Sequence, residues 1–333
     1  MSHRRPRSLG ATSHAGLAAL LLALAAPALL AASPKAIYRR CEAAVVEVLV
    51  DSHHAGSGWF ATPEGLILTA AHLFDHRTSR VDVVTGRGSR HPCRLLALNR
   101  GDDVALLETS EPMAGSPTLL LAARPLEPGD VLFQFGAPIY RNGVLQTGRV
   151  ARRTAAFEFY GPARGYVRIR HVSAMMQGGT SGGPWLDSHG RVVGLQSGTM
   201  SLDGKPVGIA YLVETGPLRE ILRSRRDGAT PDPGLWVDHL WERDASFAAR
   251  FPPGIEGLIV SGVRDAGPAA RAGLKPEDLL LETDGRALLR VADLLEVIRS
   301  KRPGDPLPLR FVRGGESERR TVTLTLGNAE QGI

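Results

Sequence analysis

Short apolar runs, broken by Gly, Pro, Asn and Asp, fill the chain from residue 44 to residue 213. Runs of that length with that punctuation predict β-strands. A first set falls at 44–50, 58–61, 66–70, 81–84, 93–98 and 104–108, and a second at 131–135, 144–152, 166–172, 184–187, 191–197 and 207–213. Between them lies a connection carrying Pro112, Pro117, Pro125 and Pro128. Two sets of short antiparallel strands with a proline-rich link predict two packed six-stranded barrels. Helical periodicity first appears at 217–226, with Thr215 as its cap and Pro217 in the first turn. The breaker-rich stretch 227–234 reads as a linker. Beyond it the grammar changes to mixed β and α. A strand at 257–263 precedes a short helix at 268–272 stopped by Gly273, and a second strand covers 278–283. After a turn at Asp284-Gly285, a helix over 291–301 places Leu294, Leu295 and Ile298 on one face. A hairpin of 308–313 and 320–325 turns at Gly314-Gly315. The expected architecture is mainly β: a double barrel over residues 34–226, a linker at 227–234, a small α+β domain at 235–328 and a tail at 329–333.

The first 33 residues depart from this pattern. A basic start (His3, Arg4, Arg5, Arg7) runs into an apolar stretch from Ala15 to Ala32 and then the small residues Ala31-Ala32-Ser33. That order predicts an export signal. Retention as a membrane anchor is the alternative, although the stretch is short for a span, rich in Ala and interrupted by Pro27. Either outcome puts the remainder outside the cytoplasm, in a periplasmic or other extracytoplasmic space.

Hydrophobic residues at 43% and charged residues at 22% describe an ordinary globular chain of 333 residues. The net charge of +6 invites a nucleic-acid role, but half of it sits on Arg4, Arg5 and Arg7. No long run of like charge remains and basic residues are not interleaved with aromatics, so nucleic acid is excluded as a partner. Cys41 and Cys93 are the two cysteines. In an oxidising compartment they could pair or stay as two thiols, and spacing does not choose. No Cys/His spacing suggests zinc, and no metal or other cofactor is expected.

The densest chemical signal is Gln177-Gly178-Gly179-Thr180-Ser181-Gly182-Gly183-Pro184. Glycine loses the most backbone freedom on folding, so such a run marks unusual angles or close approach. A serine in its middle is a weak nucleophile unless a base is beside it and the base is oriented. His72 closes the buried run 66–70 after Thr69-Ala70-Ala71. Asp103 opens the run Val104-Ala105-Leu106-Leu107 after the turn Asn99-Arg100-Gly101-Asp102. Asp102 competes for the orienting role, and Asp103 is preferred because it abuts the apolar run. His72 and Asp103 on the first strand set and Ser181 on the second describe a site in a cleft between two barrels.

With these pieces in this order the sequence resembles the chymotrypsin-like serine proteases, and within them the HtrA (Deg) type. The matching stretches are Gly56-Ser57-Gly58, Leu66 through His72, Asp103-Val104-Ala105-Leu106 and Gly179-Thr180-Ser181-Gly182-Gly183-Pro184. The C-terminal unit resembles the PDZ domain that follows the protease in that family. It does so through Gly257-Leu258-Ile259-Val260, Gly267-Pro268-Ala269-Ala270-Arg271-Ala272-Gly273-Leu274 and Glu277-Asp278-Leu279-Leu280.

The resemblance implies that Ser181 attacks the scissile carbonyl, His72 moves its proton and Asp103 holds the imidazole. The N–H groups of Gly179 and Ser181 would form the oxyanion hole. Thr180 stands where the family usually has Asn, and residues 173–178 depart from the family's usual segment. Met175 and Met176, with Ile209, Ala210 and Tyr211 opposite, would make an apolar S1 pocket for small or medium apolar residues. The PDZ unit would bind peptide C-termini by strand addition, with N–H groups around Gly257, Leu258 and Ile259 receiving the carboxylate. Leu258, Val260, Leu294 and Ile298 would line its pocket. The implied partners are unfolded protein or peptide substrates. Family members commonly form trimers, for which Ile37 and Tyr38 could serve. Two alternatives stand beside an endopeptidase of damaged proteins: a non-catalytic chaperone-like or peptide-binding protein on the same fold, and a processing protease with one dedicated substrate.

Overall fold

The computed structural model describes residues 32–74, 79–113, 115–314, 316 and 318–331. The export signal expected over 1–33 falls outside them apart from its last two residues, and so does Gly315 of the expected hairpin turn.

A helix that the hydropathy pattern did not announce comes first. In α1 (Pro34–Ala44), Ser33 caps the N-terminus by accepting from the Ala36 N–H at 3.2 Å. Proline suits the first helical position, where no N–H is needed. Ile37, Cys41 and Ala44, on one face, are buried in the chain's own core. Ile37 is therefore not free to serve between subunits, and Tyr38 lies edge-on to Phe135.

The first barrel holds β1 (Val45–Val50), β2 (His53–Phe60), β3 (Leu66–Thr69), β4 (Val81–Thr85), β5 (Arg90–Asn99) and β6 (Val104–Thr109). It closes in the order β1-β2-β3-β6-β5-β4. All four residues of β3 are buried, as a strand facing core on both sides requires. The second barrel uses β7 (Val131–Gly136), β8 (Val144–Val150), β9 (Ala156–Phe159), β10 (Tyr166–Ser173), β11 (Pro184–Leu186), β12 (Val192–Leu202) and β13 (Lys205–Glu214). The sheet runs β13-β12-β11-β7-β8-β10-β9, and pairing of β13 with β10 closes it into six strands, with β9 as an added edge. Two fully buried tryptophans, Trp59 and Trp185, fill the barrel cores. Helix α2 (Thr215–Ser224) packs Leu218 and Ile221 against both barrels. Glu214, not Thr215, is its N-cap.

The stretch expected as a linker is tied down along its length. Asp227 accepts from the Leu98 N–H, Gly228 donates to the Leu98 carbonyl, and β14 (Pro231–Asp232) pairs with β21 (Gly327–Asn328) near the C-terminus. The C-terminal unit adds β15 (Leu235–His239), α3 (Ala245–Ala248), β16 (Leu258–Val263), α4 (Pro268–Arg271), β17 (Asp278–Thr283), β18 (Arg286–Ala287), α5 (Val291–Arg299), β19 (Pro306–Arg313) and β20 (Arg320–Thr325). Its sheet order is β15-β16-β17-β19-β20, with β18 on β17. This unit has its own core, onto which Phe157 and Tyr166 of the double barrel also pack. Cys41 and Cys93 are both free thiols. Among the described residues no helix is long and apolar enough to cross a membrane.

Candidate active site

The site is assembled from turns at the ends of strands. β3 delivers His72 in the one-turn helix Ala71–Leu73. The turn between β5 and β6 delivers Asp103, which is left-handed (φ 52) and 2% exposed. Its carboxylate accepts the His72 Nδ1–H at 2.8 Å through one oxygen and the His72 backbone N–H at 2.8 Å through the other. Asp102 is turned elsewhere, accepting from the Asn99 side-chain amide at 3.0 Å. Burial alone would raise the Asp103 carboxyl. The nearby His72 charge, with hydrogen bonds from His72 and Ser197, outweighs burial and holds it below its ordinary value.

Ser181 is presented by the glycine run. Gly182 has φ +84, and a Cβ there would lie 2.1 Å from the Ser57 carbonyl. Gly179 has φ +95, and a Cβ would lie 2.3 Å from the Ala137 carbonyl. Only glycine fits either place. Ser57 fastens the loop: its N–H donates to the Ser181 carbonyl (2.7 Å) and its hydroxyl to the Gly179 carbonyl (2.8 Å). The Ile139 N–H, from a backbone at φ 47, holds the Gly178 carbonyl at 2.9 Å. With those carbonyls tied back, the Gly179 and Ser181 N–H groups have no acceptor among the described residues. Thr180 closes the turn by donating its hydroxyl to the Gln177 carbonyl at 2.8 Å.

Sequence reasoning missed four contributors. Ser197 bridges the site: its hydroxyl donates to Asp103, and its carbonyl accepts from the Ser181 hydroxyl at 3.2 Å. Tyr160 in turn bonds the Ser197 hydroxyl at 2.6 Å and lies edge-on to His72. Burial, with the Asp103 charge adding to it, raises the Tyr160 phenol well above its ordinary value, which keeps it a donor. Arg164 donates to the His72 carbonyl at 3.1 Å. Ser57 was visible only as part of Gly56-Ser57-Gly58. The other three sit at positions where no residue type or spacing announces a role.

The expected apolar pocket does not assemble as drawn. Met176 and Ala210 are in the core of the second barrel, whereas Met175 is half exposed. Side chains alternate along an extended chain, so 175 and 176 diverge, and Ala210 faces away from Ile209 and Tyr211. Tyr211 turns its hydroxyl to Glu158 at 3.2 Å. Tyr160 stands over the backbone there: a Cβ on Gly198 would meet its hydroxyl at 2.8 Å.

The expected peptide site of the C-terminal unit also needs correction. Gly257, Leu258, Ile259 and Val260 belong to an interior position: β16 is paired with β15 on one side and β17 on the other, so it has no free edge for another strand. Leu258, Ile259, Val260, Leu294 and Ile298 are core residues, none more than 1% exposed. The edges of the sheet are β15 and β20. On β15, the outward N–H and carbonyl of Val237 both bond the Tyr166 hydroxyl at 3.0 Å, and Trp236 stacks on Phe159.

This geometry defines a two-barrel scaffold with an Asp103–His72 pair beside the Ser181 loop and an attached α+β unit. Residues 56–195 match the trypsin-like peptidase domain family, and residues 227–325 match the PDZ domain family. A probable periplasmic serine endoprotease, DegP-like, of Pseudomonas savastanoi pv. phaseolicola is 25% identical over 278 residues, covering 82% of this chain and 56% of that protein. The putative serine protease HhoB of Synechocystis is 25% identical over 274 residues, covering 80% and 65%. The chain spans little more than half the length of most curated relatives it matches. Among solved structures, the HtrA-type protease AlgW with a decapeptide has a TM-score of 0.65 at 20% identity, covering 89% of this chain and 99% of that one. The serine endoprotease from Yersinia pestis has a TM-score of 0.59 at 22% identity, covering 89% and 98%. The chain is thus a trypsin-like peptidase domain carrying one PDZ domain. That pairing is similar to the DegP-like and HtrA-type proteins above.

Proposed function

We propose that this chain is an exported, extracytoplasmic serine endopeptidase that cuts unfolded or damaged proteins. The observation carrying this reading is the Asp103–His72 bond beside a glycine loop whose Gly179 and Ser181 N–H groups have no acceptor among the described residues. Ser181 swings its hydroxyl from the Ser197 carbonyl toward His72 and attacks the scissile carbonyl. His72 takes the serine proton and later gives it to the leaving amine. Asp103, kept ionised, stabilises the imidazolium between those steps. The Gly179 and Ser181 N–H groups receive the oxyanion, worth about 3 kcal/mol per donor. The PDZ unit takes extended peptides on β15, where backbone groups of Val237 face outward, rather than on β16.

One observation favours a second reading. The Ser181 hydroxyl donates to Ser197 rather than to His72, and Tyr160 covers that backbone. A peptide-binding protein with a resting serine fits this as well. Casein digestion by wild type and by Ser181→Ala separates the two. A working nucleophile gives a loss of about 10⁴ or more on substitution. Two equally inert proteins, or two equally active ones, sink the peptidase reading. N-terminal sequencing of the products then reports the preferred residue before the cut.

A further inference from the structure

The turn Asn99–Asp103 is held from outside its own domain. It needs holding, because Asp103 is left-handed and such a conformation in a non-glycine residue costs about 1 kcal/mol or more. Within the turn, Asn99 and Asp102 exchange two side-chain bonds at 3.0 Å. The peptidase unit adds the Arg168 N–H on the Gly101 carbonyl at 3.4 Å, the Asp103 N–H on the Arg100 carbonyl at 3.2 Å and the Arg100 guanidinium on the Phe74 carbonyl at 3.3 Å. A further and shorter grip on the Gly101 carbonyl comes from the C-terminal unit. Arg299, the last residue of α5, sends one amino group to the Gly101 carbonyl at 2.6 Å and the Tyr166 carbonyl at 3.0 Å. Its guanidinium lies 3.9 Å from the Asp102 carboxylate. From the chain's end, Glu330 accepts the Arg100 N–H at 2.8 Å. The fit is tight: a Cβ on Gly101 would lie 2.3 Å from Thr230 Cγ2 and 2.5 Å from an Arg299 amino nitrogen. A buried guanidinium is costly unless it is hydrogen-bonded. Here its acceptor lies two residues before the carboxylate that orients His72.

We propose that Arg299 is a positioning residue for the peptidase reaction. By clamping the Gly101 carbonyl it fixes the turn that sets Asp103 against His72, so a side chain of the PDZ domain completes the geometry of the catalytic aspartate. Arg299 touches no substrate and acts through Asp103. The inference rests on the peptidase reading above.

The test uses the full chain, with active sites titrated by a fluorophosphonate and turnover read on a short chromogenic peptide. For Arg299→Met, kcat per titrated site falls roughly ten- to hundredfold while KM stays within about twofold, as for a displaced catalytic group. The acid limb of kcat/KM moves as well, because the carboxylate facing the catalytic base is displaced. Arg299→Lys, one point charge for two carbonyls, recovers part of both effects. Gly101→Ala, whose methyl presses on Thr230 as well as on the Arg299 amino group, displaces the same turn from the peptidase side and gives the same pair of changes; its φ is not left-handed, so the backbone accepts alanine. If Arg299→Met does not fold, Arg299→Lys and Gly101→Ala carry the test. Unchanged kcat per site with an unmoved acid limb overturns the proposal, including when the titratable fraction or Tm drops, since the arginine then only glues the domains. A wild type that neither labels nor cleaves removes the peptidase reading itself, and the proposal with it.

Discussion

The proposed catalytic cleft and the proposed peptide edge of β15 share one stretch of chain, residues 156–166, which lies on both. At the cleft, Tyr160 bonds Ser197 and Arg164 bonds the His72 carbonyl. At the edge, Tyr166 bonds Val237 and Phe159 stacks on Trp236. The two sites differ in what makes them. The cleft is a set of side chains whose chemistry depends on residue type. The edge is backbone, and its capacity depends only on which strand is left unpaired. Substitutions should therefore act steeply and residue-specifically at the cleft, and gently at the edge, where one hydroxyl competes with an incoming strand.

The steepest contrast lies within the cleft, between neighbours. Asp103→Asn leaves the turn but withdraws the charge opposite His72, and kcat should fall about 10⁴-fold. Asp102→Asn keeps an acceptor for Asn99 and should stay within roughly tenfold of wild type, the loss expected from weakening one ordinary hydrogen bond. Steady-state assay of the two variants decides the assignment, and equal losses would break it. Next comes Ser57→Ala. It leaves the Gly179 carbonyl and the Ala137 N–H without the hydroxyl that joins them. A buried polar group left unpaired costs about 1–3 kcal/mol. The cost falls on the loop that aims the oxyanion donors, so kcat should drop tenfold or more with KM little changed. A rise in KM alone would show that Ser57 shapes binding instead.

These contrasts also explain how far the sequence could be read. Twelve barrel strands and the ordered His72, Asp103 and Ser181 were legible because short apolar runs and a glycine-flanked serine are local signals. α1 was lost because only Ile37, Cys41 and Ala44 of its positions are buried, too sparse a stripe beside an apparent export signal. β15 was not read as a strand: it begins directly after the stretch read as a linker at 227–234, and its short run Leu235-Trp236-Val237 is cut off by Asp238. With β15 missing, β16 looked like the free strand, and Leu258, Ile259 and Val260 were assigned to a groove when they are core. Met175 and Met176 were given one pocket although adjacent side chains in extended backbone diverge. Ser197 and Tyr160 were invisible because their roles come from a contact across 94 residues and one across 37. No spacing rule spans such distances.

At the edge, Tyr166→Phe removes only the hydroxyl that satisfies Val237. The phenol makes two bonds there, each worth about 1 kcal/mol net. A peptide with a free C-terminus then has less to displace, and its Kd should fall by up to about thirtyfold. Fluorescence anisotropy with a labelled apolar-ended peptide measures this. Weaker binding by the variant would mean that the hydroxyl helps build the groove rather than filling it.

The last contrast belongs to the joint between the two regions, at Glu330. Burial pushes its carboxyl up to about 7, opposed by the Arg100 N–H and charge and reinforced by Asp227. One carboxylate oxygen has no partner among the described residues. Between the ordinary value of 4.5 and about 7, the folded protein holds a proton that the unfolded chain has released. Stability therefore falls as pH rises through that window and is flat above it. Glu330→Gln keeps an acceptor for Arg100 and cannot ionise. Wild type and variant should melt together near pH 4.5. By pH 8 the variant should be ahead by on the order of 1–3 kcal/mol, a shift of a few degrees in Tm. Calorimetry at the two pH values reads the difference. The same gap at both would show that Glu330 is already ionised in its site, held by Arg100 as firmly as Asp103 is held by His72.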